Sequence, residues 1–471
     1  MSRWNLMWVL VVPGLVFMGL AVTASAPAPD KDYKLVRSIV DVLAEVDRSY
    51  ERELTDAEKK KLVEDMINGG LEKLDPHSQY INEEDSESFN EHTKGEIGGI
   101  GVIVIRDTKT NLLKVETPMP GTPAYNEGIQ ADDLILKIGD TSTENLRTED
   151  ARKLIKGKPK TPVTLTILRE GVRGPFEKTI VREKIDLHPV NGFARILVPD
   201  PADPTNPAKS TWKWDWFADK TAKIAIIRLI GFNEKSDKEV KEAIDEARAQ
   251  GAKALVLDMR DNPGGLLSQS AAVSDLFLAQ GVIVSTRNRR EGGRKLEAKD
   301  DGSLNESATK LPMVVLINHG SASASEIVAA ALQDNGRAIV IGERSYGKGT
   351  VQKIFDLPES KASLKLTSER WFTPKEKNIH RSPDMKDTDE WGIHPDAGFD
   401  VKLTDEEVLA YYKYMRTFDF IQGKPDGSKP PKAETPKSPY SDKVLDKALE
   451  YLRTKSKDLG ELNLPKLRRV A

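Results

Sequence analysis

Four runs of apolar, largely β-branched residues fall between residues 222 and 342: "AKIAIIRLIGF", "AKALVLDMR", "PMVVLINHG" and "RAIVIG". A strand with no polar alternation has no face to give to water, so each run needs cover on both sides. Between the runs lie "EVKEAIDEARAQG" and "SEIVAAALQDNG", whose apolar residues recur at helical spacing. Strand and helix in alternation over 222–400 predict a mostly parallel, covered sheet, the architecture that most often carries an enzyme site. One such core does not use up 471 residues, because single cores rarely grow past about 250–300.

The flanking segments are patterned differently. From Asp32 to Leu74, Leu35, Ile39, Leu43 and Val46, then Leu62, Met66, Ile67 and Leu71, predict two amphipathic helices, the second started by "LTDAEK". "LDPHSQY" follows as a turn, and its His77 reads as a structural hydrogen-bonder, since no second histidine stands at metal-ligand spacing. Residues 94–184 hold short strands punctuated by Gly and Pro, with one helix at "TEDARKLIKG". In "KGEIGGIGVIVI" the glycines lead straight into a strand; the stretch is either a hairpin turn or a loop whose N–H groups gather on an anion beside a peptide-accepting edge. The segment 199–217, rich in Pro and Asp and then in Trp, is expected to be an inserted surface loop, with Trp212, Trp214 and Trp216 structural rather than substrate-binding. After the core, "GKPDGSKPPKAETPKSPYSD" is an extended linker. In the tail, Val444, Leu445, Ala448 and Leu452 form one helical face, enough to dock on a partner surface.

Location is told by the first residues. Arg3 precedes an apolar run from Trp4 to Val22 and a small-residue stretch ending near Ala26. The pattern is that of an export segment, cleaved after Ala24 in preference to being retained as an anchor. The remainder is expected outside the cytoplasm, in the periplasm or an equivalent compartment. Lys and Arg number 71 against 74 Asp and Glu, a net charge of -3, so nothing points to nucleic acid. Membrane contact is expected only through an uncleaved N-terminal segment. With no cysteine in the chain, thiolate nucleophiles, thiolate metal ligands and disulfides are excluded.

The chemistry is therefore sought at "HGSASASE", where a strand, a glycine turn and a helix start meet. Free N–H groups at such a helix start can stabilise an oxyanion. The same letters also spell a capping box, Ser323 to Glu326, which is common and inert. A serine needs a base. His319 precedes all three serines, no GxSxG elbow surrounds them, and a histidine triad fits poorly. Lys348, between two glycines in "ERSYGKGTVQ", can serve if burial lowers its pKa from the usual ~10.4. The overlapping GxxxxGK from Gly342 to Lys348 lacks the following Ser or Thr of a phosphate loop and runs on as a strand.

"LDMRDNPGG", "INHGSASASEIVAAALQDN" and "ERSYGKGTVQ", in that order after a PDZ-like segment, resemble the carboxyl-terminal processing (tail-specific) serine peptidases over residues 35–405. The resemblance implies a multidomain α/β protein: signal peptide or anchor (1–26), N-terminal helical region (30–92), β-rich PDZ-like domain (93–187), crotonase-like peptidase core (188–410), and linker with C-terminal helix (411–471). It makes Ser323 the nucleophile, Lys348 the general base and Gln352 the residue that orients the lysine. Backbone N–H groups of Ala324 and of Gly264 or Gly265 would form the oxyanion hole. Gly98, Gly99, Ile100 and Gly101 would receive the C-terminal carboxylate of a protein or peptide substrate, probed through apolar last residues. No metal and no cofactor is called for, and a homo-oligomer is left open. The competing expectation is an exported PDZ-bearing scaffold with an inactive peptidase-like core.

Overall fold

The computed structural model describes residues 31–203, 209–290, 292–299, 310–419, 421, 423 and 440–462. The export segment and most of the linker lie outside the described residues. The chain divides into two compact units, with the break after Lys73. The first holds helices Lys31–Ser49 and Asp56–Glu72, the latter opened by a capping box in which Thr55 and Glu58 satisfy each other's backbone N–H groups. Within the second unit, the region expected to be helical to residue 92 holds a strand, Gln79–Ile81, paired with Ser363–Lys365, and then helix Glu83–Lys94.

In the second unit, strands Ile224–Leu229, Ala254–Asp258, Met313–Ile317 and Ile339–Gly342 form the parallel sheet. Short antiparallel strands Val190–Asn191 and Phe217–Asp219 flank its first member. Side chains alternate across the sheet with period two. Ala225, Ile227, Leu255, Leu257, Val315 and Val340 face helices Ser236–Ala249, Leu267–Asp275 and Ala324–Asp334. Ile224, Ile226, Ala254, Val256, Val314, Leu316 and Ile341 face the other way, onto Val444, Leu445, Ala448, Leu449 and Leu452 of the tail helix Lys443–Leu462. The tail face read as a docking surface for a partner is thus occupied by the chain's own sheet, and it supplies the second cover that four apolar strands require.

The tail is also tied electrically. Arg260, just past its strand, is buried and forms ion pairs with Asp258 at 2.6 Å and with Asp442, at the tail-helix start, at 2.9 Å. Tyr411 lies over the guanidinium at 4.6 Å. That tyrosine belongs to helix Asp405–Asp419, so the core does not stop at residue 410. Breaking a buried pair on one side leaves charge without compensation. Asp442→Ala is expected to lower stability by about 3 kcal/mol, read from urea unfolding at neutral pH.

Val102–Arg106, Leu113–Pro118, Leu134–Ile138, Pro162–Leu168 and Phe176–Val181 form an antiparallel sheet around a core of their own, including Ile100, Val115, Ile135, Leu165 and Ile180. This module touches the rest of the second unit at set points: Arg416 pairs with Glu116, and Thr117 exchanges hydrogen bonds with the backbone of Ile421 at 3.0 Å. Part of the segment 199–217 expected as loop is a strand, Thr211–Asp215, which pairs with Ala194–Val198 as a hairpin. Trp214 there stacks on Arg195 at 3.6 Å, and the buried Trp216 donates to Glu246 at 2.9 Å. Both are packing residues. A fourth, antiparallel sheet, in which Ala362–Phe372 pairs with Thr350–Leu357 and with Val282–Asn288, carries the segment after Lys348.

Candidate active site

The strand Met313–Ile317 ends at the three serines, and hydrogen bonding separates them. Ser321 is fully buried; its hydroxyl donates to the Met259 carbonyl at 2.8 Å and accepts from the Asn318 N–H at 3.0 Å. Ser325, also fully buried, donates to the Asn262 carbonyl at 2.9 Å. Both stitch the helix start to the end of the neighbouring "DMRDN" strand. Ser323 remains, partly exposed at the N-cap with φ 56° and ψ −112°. A non-glycine residue held there is strained by roughly 1–3 kcal/mol and persists only where its surroundings over-determine it.

Glu326 supplies that constraint. Its carboxylate is wholly buried and accepts from the Ser323 N–H at 2.7 Å, closing the capping box. The same carboxylate accepts from the Lys348 N–H at 2.9 Å, the Gly347 N–H at 2.6 Å and the Ser345 hydroxyl at 2.6 Å. One oxygen therefore bonds the backbone of both expected catalytic residues. Burial pushes the Glu326 carboxyl above its usual range, and the four donors work against that shift.

The lysine segment is held from its other side as well. Trp371 Nε1 donates to the Lys348 carbonyl at 2.8 Å, Asn378 Nδ2 to the Gly349 carbonyl at 3.2 Å, and the Arg381 N–H to the Gly347 carbonyl at 2.8 Å. A Cβ on Gly349 would stand 2.7 Å from the His380 nitrogen, so the flanking glycine permits the close approach. The Lys348 pKa is lowered to about 8, first by desolvation and then by nearby Lys365, with Glu326 and Asp75 opposing. No ion pair engages Lys348 among the described residues. Nor does a hydrogen bond join its amine to the Ser323 hydroxyl in this structure; what unites the pair is the shared carboxylate.

Gly264, with φ 95°, lies against the nucleophile turn: a Cβ there would fall 2.9 Å from both the Ser323 Cβ and the Ala324 nitrogen. Its own N–H donates to Asn262 Oδ1 at 2.9 Å. Between the two glycines this leaves the Gly265 N–H as the one without a bond among the described residues. Gln352 follows a register irregularity in its strand, between Val351 and Gln352. Its amide nitrogen donates to Thr350 and Thr367, at 3.1 and 3.0 Å, and it makes no hydrogen bond to Lys348. His319 pairs with Glu343 at 2.8 Å and is 67% exposed, turned away from the serine. At the PDZ end, Gly98 and Gly99 belong to a strand paired with Lys184 and Glu183, so the turn itself is Ile100–Gly101. The Ile100 side chain is fully buried, which leaves its backbone alone for ligand contact. Local pattern marks Glu326 only as a helix-start residue; its bond to Lys348 spans 22 positions, and nothing in that pattern announces it.

A family model described as "Peptidase family S41" matches residues 223–398, and one described as "PDZ domain" matches 114–169. A carboxy-terminal-processing protease of Bartonella bacilliformis is 35% identical over 460 residues, 94% of each chain. The carboxy-terminal processing protease CtpA of Bacillus subtilis is 31% identical over 378 residues, 79% of this chain and 72% of its own. A photosystem II D1 C-terminal processing protease structure is 26% identical, with 76% of this chain and 86% of that one covered, at a TM-score of 0.40. Fold and relatives together define a PDZ domain joined to a serine peptidase core. The chain belongs to peptidase family S41, among the carboxy-terminal-processing proteases.

Proposed function

We propose that this chain is an exported endopeptidase that uses a Ser323/Lys348 dyad on proteins whose C-terminus is captured by the PDZ domain. The single observation that carries the reading is the Glu326 carboxylate bonded to the backbone of both residues. Neutral Lys348 takes the proton as the Ser323 hydroxyl attacks the peptide carbonyl, then gives it to the leaving amine. The Ala324 and Gly265 N–H groups receive the oxyanion. Water then attacks the acyl-enzyme ester as Lys348 accepts its proton, and Lys348 returns that proton to the Ser323 oxygen as the carboxylic product leaves.

On this reading the core is crotonase-like, and Ile100–Gly101 takes the substrate's terminal carboxylate while the following strand, Val102–Arg106, takes its backbone by edge pairing. The patterned first residues support placement outside the cytoplasm. The test is hydrolysis of an unfolded protein ending in apolar residues, beside the same protein with an amidated C-terminus. Cleavage of the first, and clearly slower cleavage of the second, is expected. Equal rates would remove the PDZ capture step; binding without any cleavage would return the scaffold reading.

A further inference from the structure

The turn "LDPHSQY" is expected to be structural, yet it reaches the active-site sheet through a directed chain of hydrogen bonds. Asp75 Oδ1 accepts from the Thr367 hydroxyl at 2.9 Å, as well as from the N–H groups of His77 and Ser78 at 2.8 and 3.0 Å. Asp75 Oδ2 accepts from the Ser78 hydroxyl at 2.6 Å, and the same Ser78 hydroxyl accepts from the Thr367 N–H at 3.0 Å. Thr367 Oγ1 in turn lies 3.0 Å from Gln352 Nε2.

The direction of this chain follows from chemistry. An ionised carboxylate can only accept, so Thr367 must donate its single hydroxyl proton to Asp75. Its lone pairs are then what it offers Gln352, and only the NH2 end of the amide can answer. The Thr350 hydroxyl accepts from the same nitrogen at 3.1 Å. Burial, the largest single influence, pushes the Asp75 carboxyl up, but its four hydrogen bonds together bring it below its ordinary value, so it is ionised at neutral pH.

We infer that Asp75 and Thr367 are positioning residues for catalysis: they fix which end of the Gln352 amide faces the two threonines and so leave its carbonyl oxygen as the acceptor presented to the lysine. A lysine ammonium has only N–H groups to offer, so a Gln turned the other way round would present donor to donor; against the neutral amine it would compete for the one lone pair that must take the Ser323 proton. This inference rests on the Ser/Lys reading above and adds to it a part of the chain far from both residues in sequence. It also gives the Gln352 side chain a role without requiring it to touch Lys348 in the resting arrangement.

The test is a double-mutant cycle in the full chain, with kcat, KM and thermal midpoint measured for each protein on one unfolded substrate. Thr367→Val keeps the shape and removes the hydroxyl; a kcat about tenfold lower is expected, the effect of one hydrogen bond, with KM within about twofold. Thr367→Ser, which keeps the hydroxyl, restores kcat. In a Gln352→Ala background, Thr367→Val and Asp75→Ala cause no further loss of kcat, because the amide they orient is gone. Unchanged kcat in Thr367→Val, or the same fractional loss with and without Gln352, overturns the inference and leaves Thr367 a packing residue. An inactive parent protein fails the Ser/Lys reading itself, and that outcome is seen before any variant is compared.

Discussion

Ser323→Ala is expected to abolish peptide hydrolysis, with kcat falling by about 10⁴-fold or more, the scale seen when a nucleophile that acts as a unit with its base is removed. Its thermal midpoint should stay near that of the parent, because the Ser323 backbone bond to Glu326 survives the change. Ser321→Ala and Ser325→Ala should behave in the opposite sense. Each breaks a buried hydrogen bond to a backbone carbonyl, a loss of about 1–3 kcal/mol, while the nucleophile remains. Hydrolysis rates and thermal unfolding of the three variants, measured side by side, check the assignment. Activity surviving in Ser323→Ala would sink it.

Lys348→Met should match that loss of activity while making the protein more stable. The Lys348 amine has a pKa of about 8 in the folded chain, lowered first by desolvation and then by Lys365, against Glu326 and Asp75. In the unfolded chain it returns to the ordinary lysine value, ~10.4. Below pH 8 both states carry the proton and the folded one bears the cost of a partly buried ammonium. Between pH 8 and the unfolded value the unfolded state binds more protons, so stability climbs with pH across that window. Methionine removes both the cost and the slope. The gain at pH 7 is on the order of 3 kcal/mol at most, visible in urea titrations at pH 7 and again near pH 10, where it should shrink. The parent's kcat/KM should rise with pH through an apparent pKa near 8, because only the neutral amine accepts the serine proton. A variant that unfolds instead would mark Lys348 as structural.

The parts of this molecule that could be read from the sequence are those where pattern and contact are local. Apolar runs between 222 and 342 could only be covered strands, and the glycines beside Lys348 could only serve close backbone approach. What escaped is long-range. Glu326 looks like half of a capping box, and it is one; that its carboxylate also holds Gly347 and Lys348 depends on how two separate segments meet. Trp371, 23 positions from Lys348, has no local mark as its buttress. The tail showed its apolar face but not its destination, since a helical stripe fits a partner's surface or the chain's own sheet equally well. Among the serines, local pattern left three candidates and only the resemblance singled out Ser323; the buried hydroxyl bonds of Ser321 and Ser325, to carbonyls 62 and 63 positions away, have no local signal.

The tail helix also sets an order of events. Every strand whose outer face it covers is synthesised before it, and Asp442, which answers the buried charge of Arg260, comes later than the whole of the catalytic sequence. A chain that stops short of Asp442 already contains Ser323 and Lys348, yet its sheet has an open apolar face and Arg260 keeps the Asp258 half of its carboxylate pair alone. Since domains fold as units, the core closes only once residues 443–452 lie against it, so the tail helix is a keystone of the scaffold that holds Ser323 and Lys348.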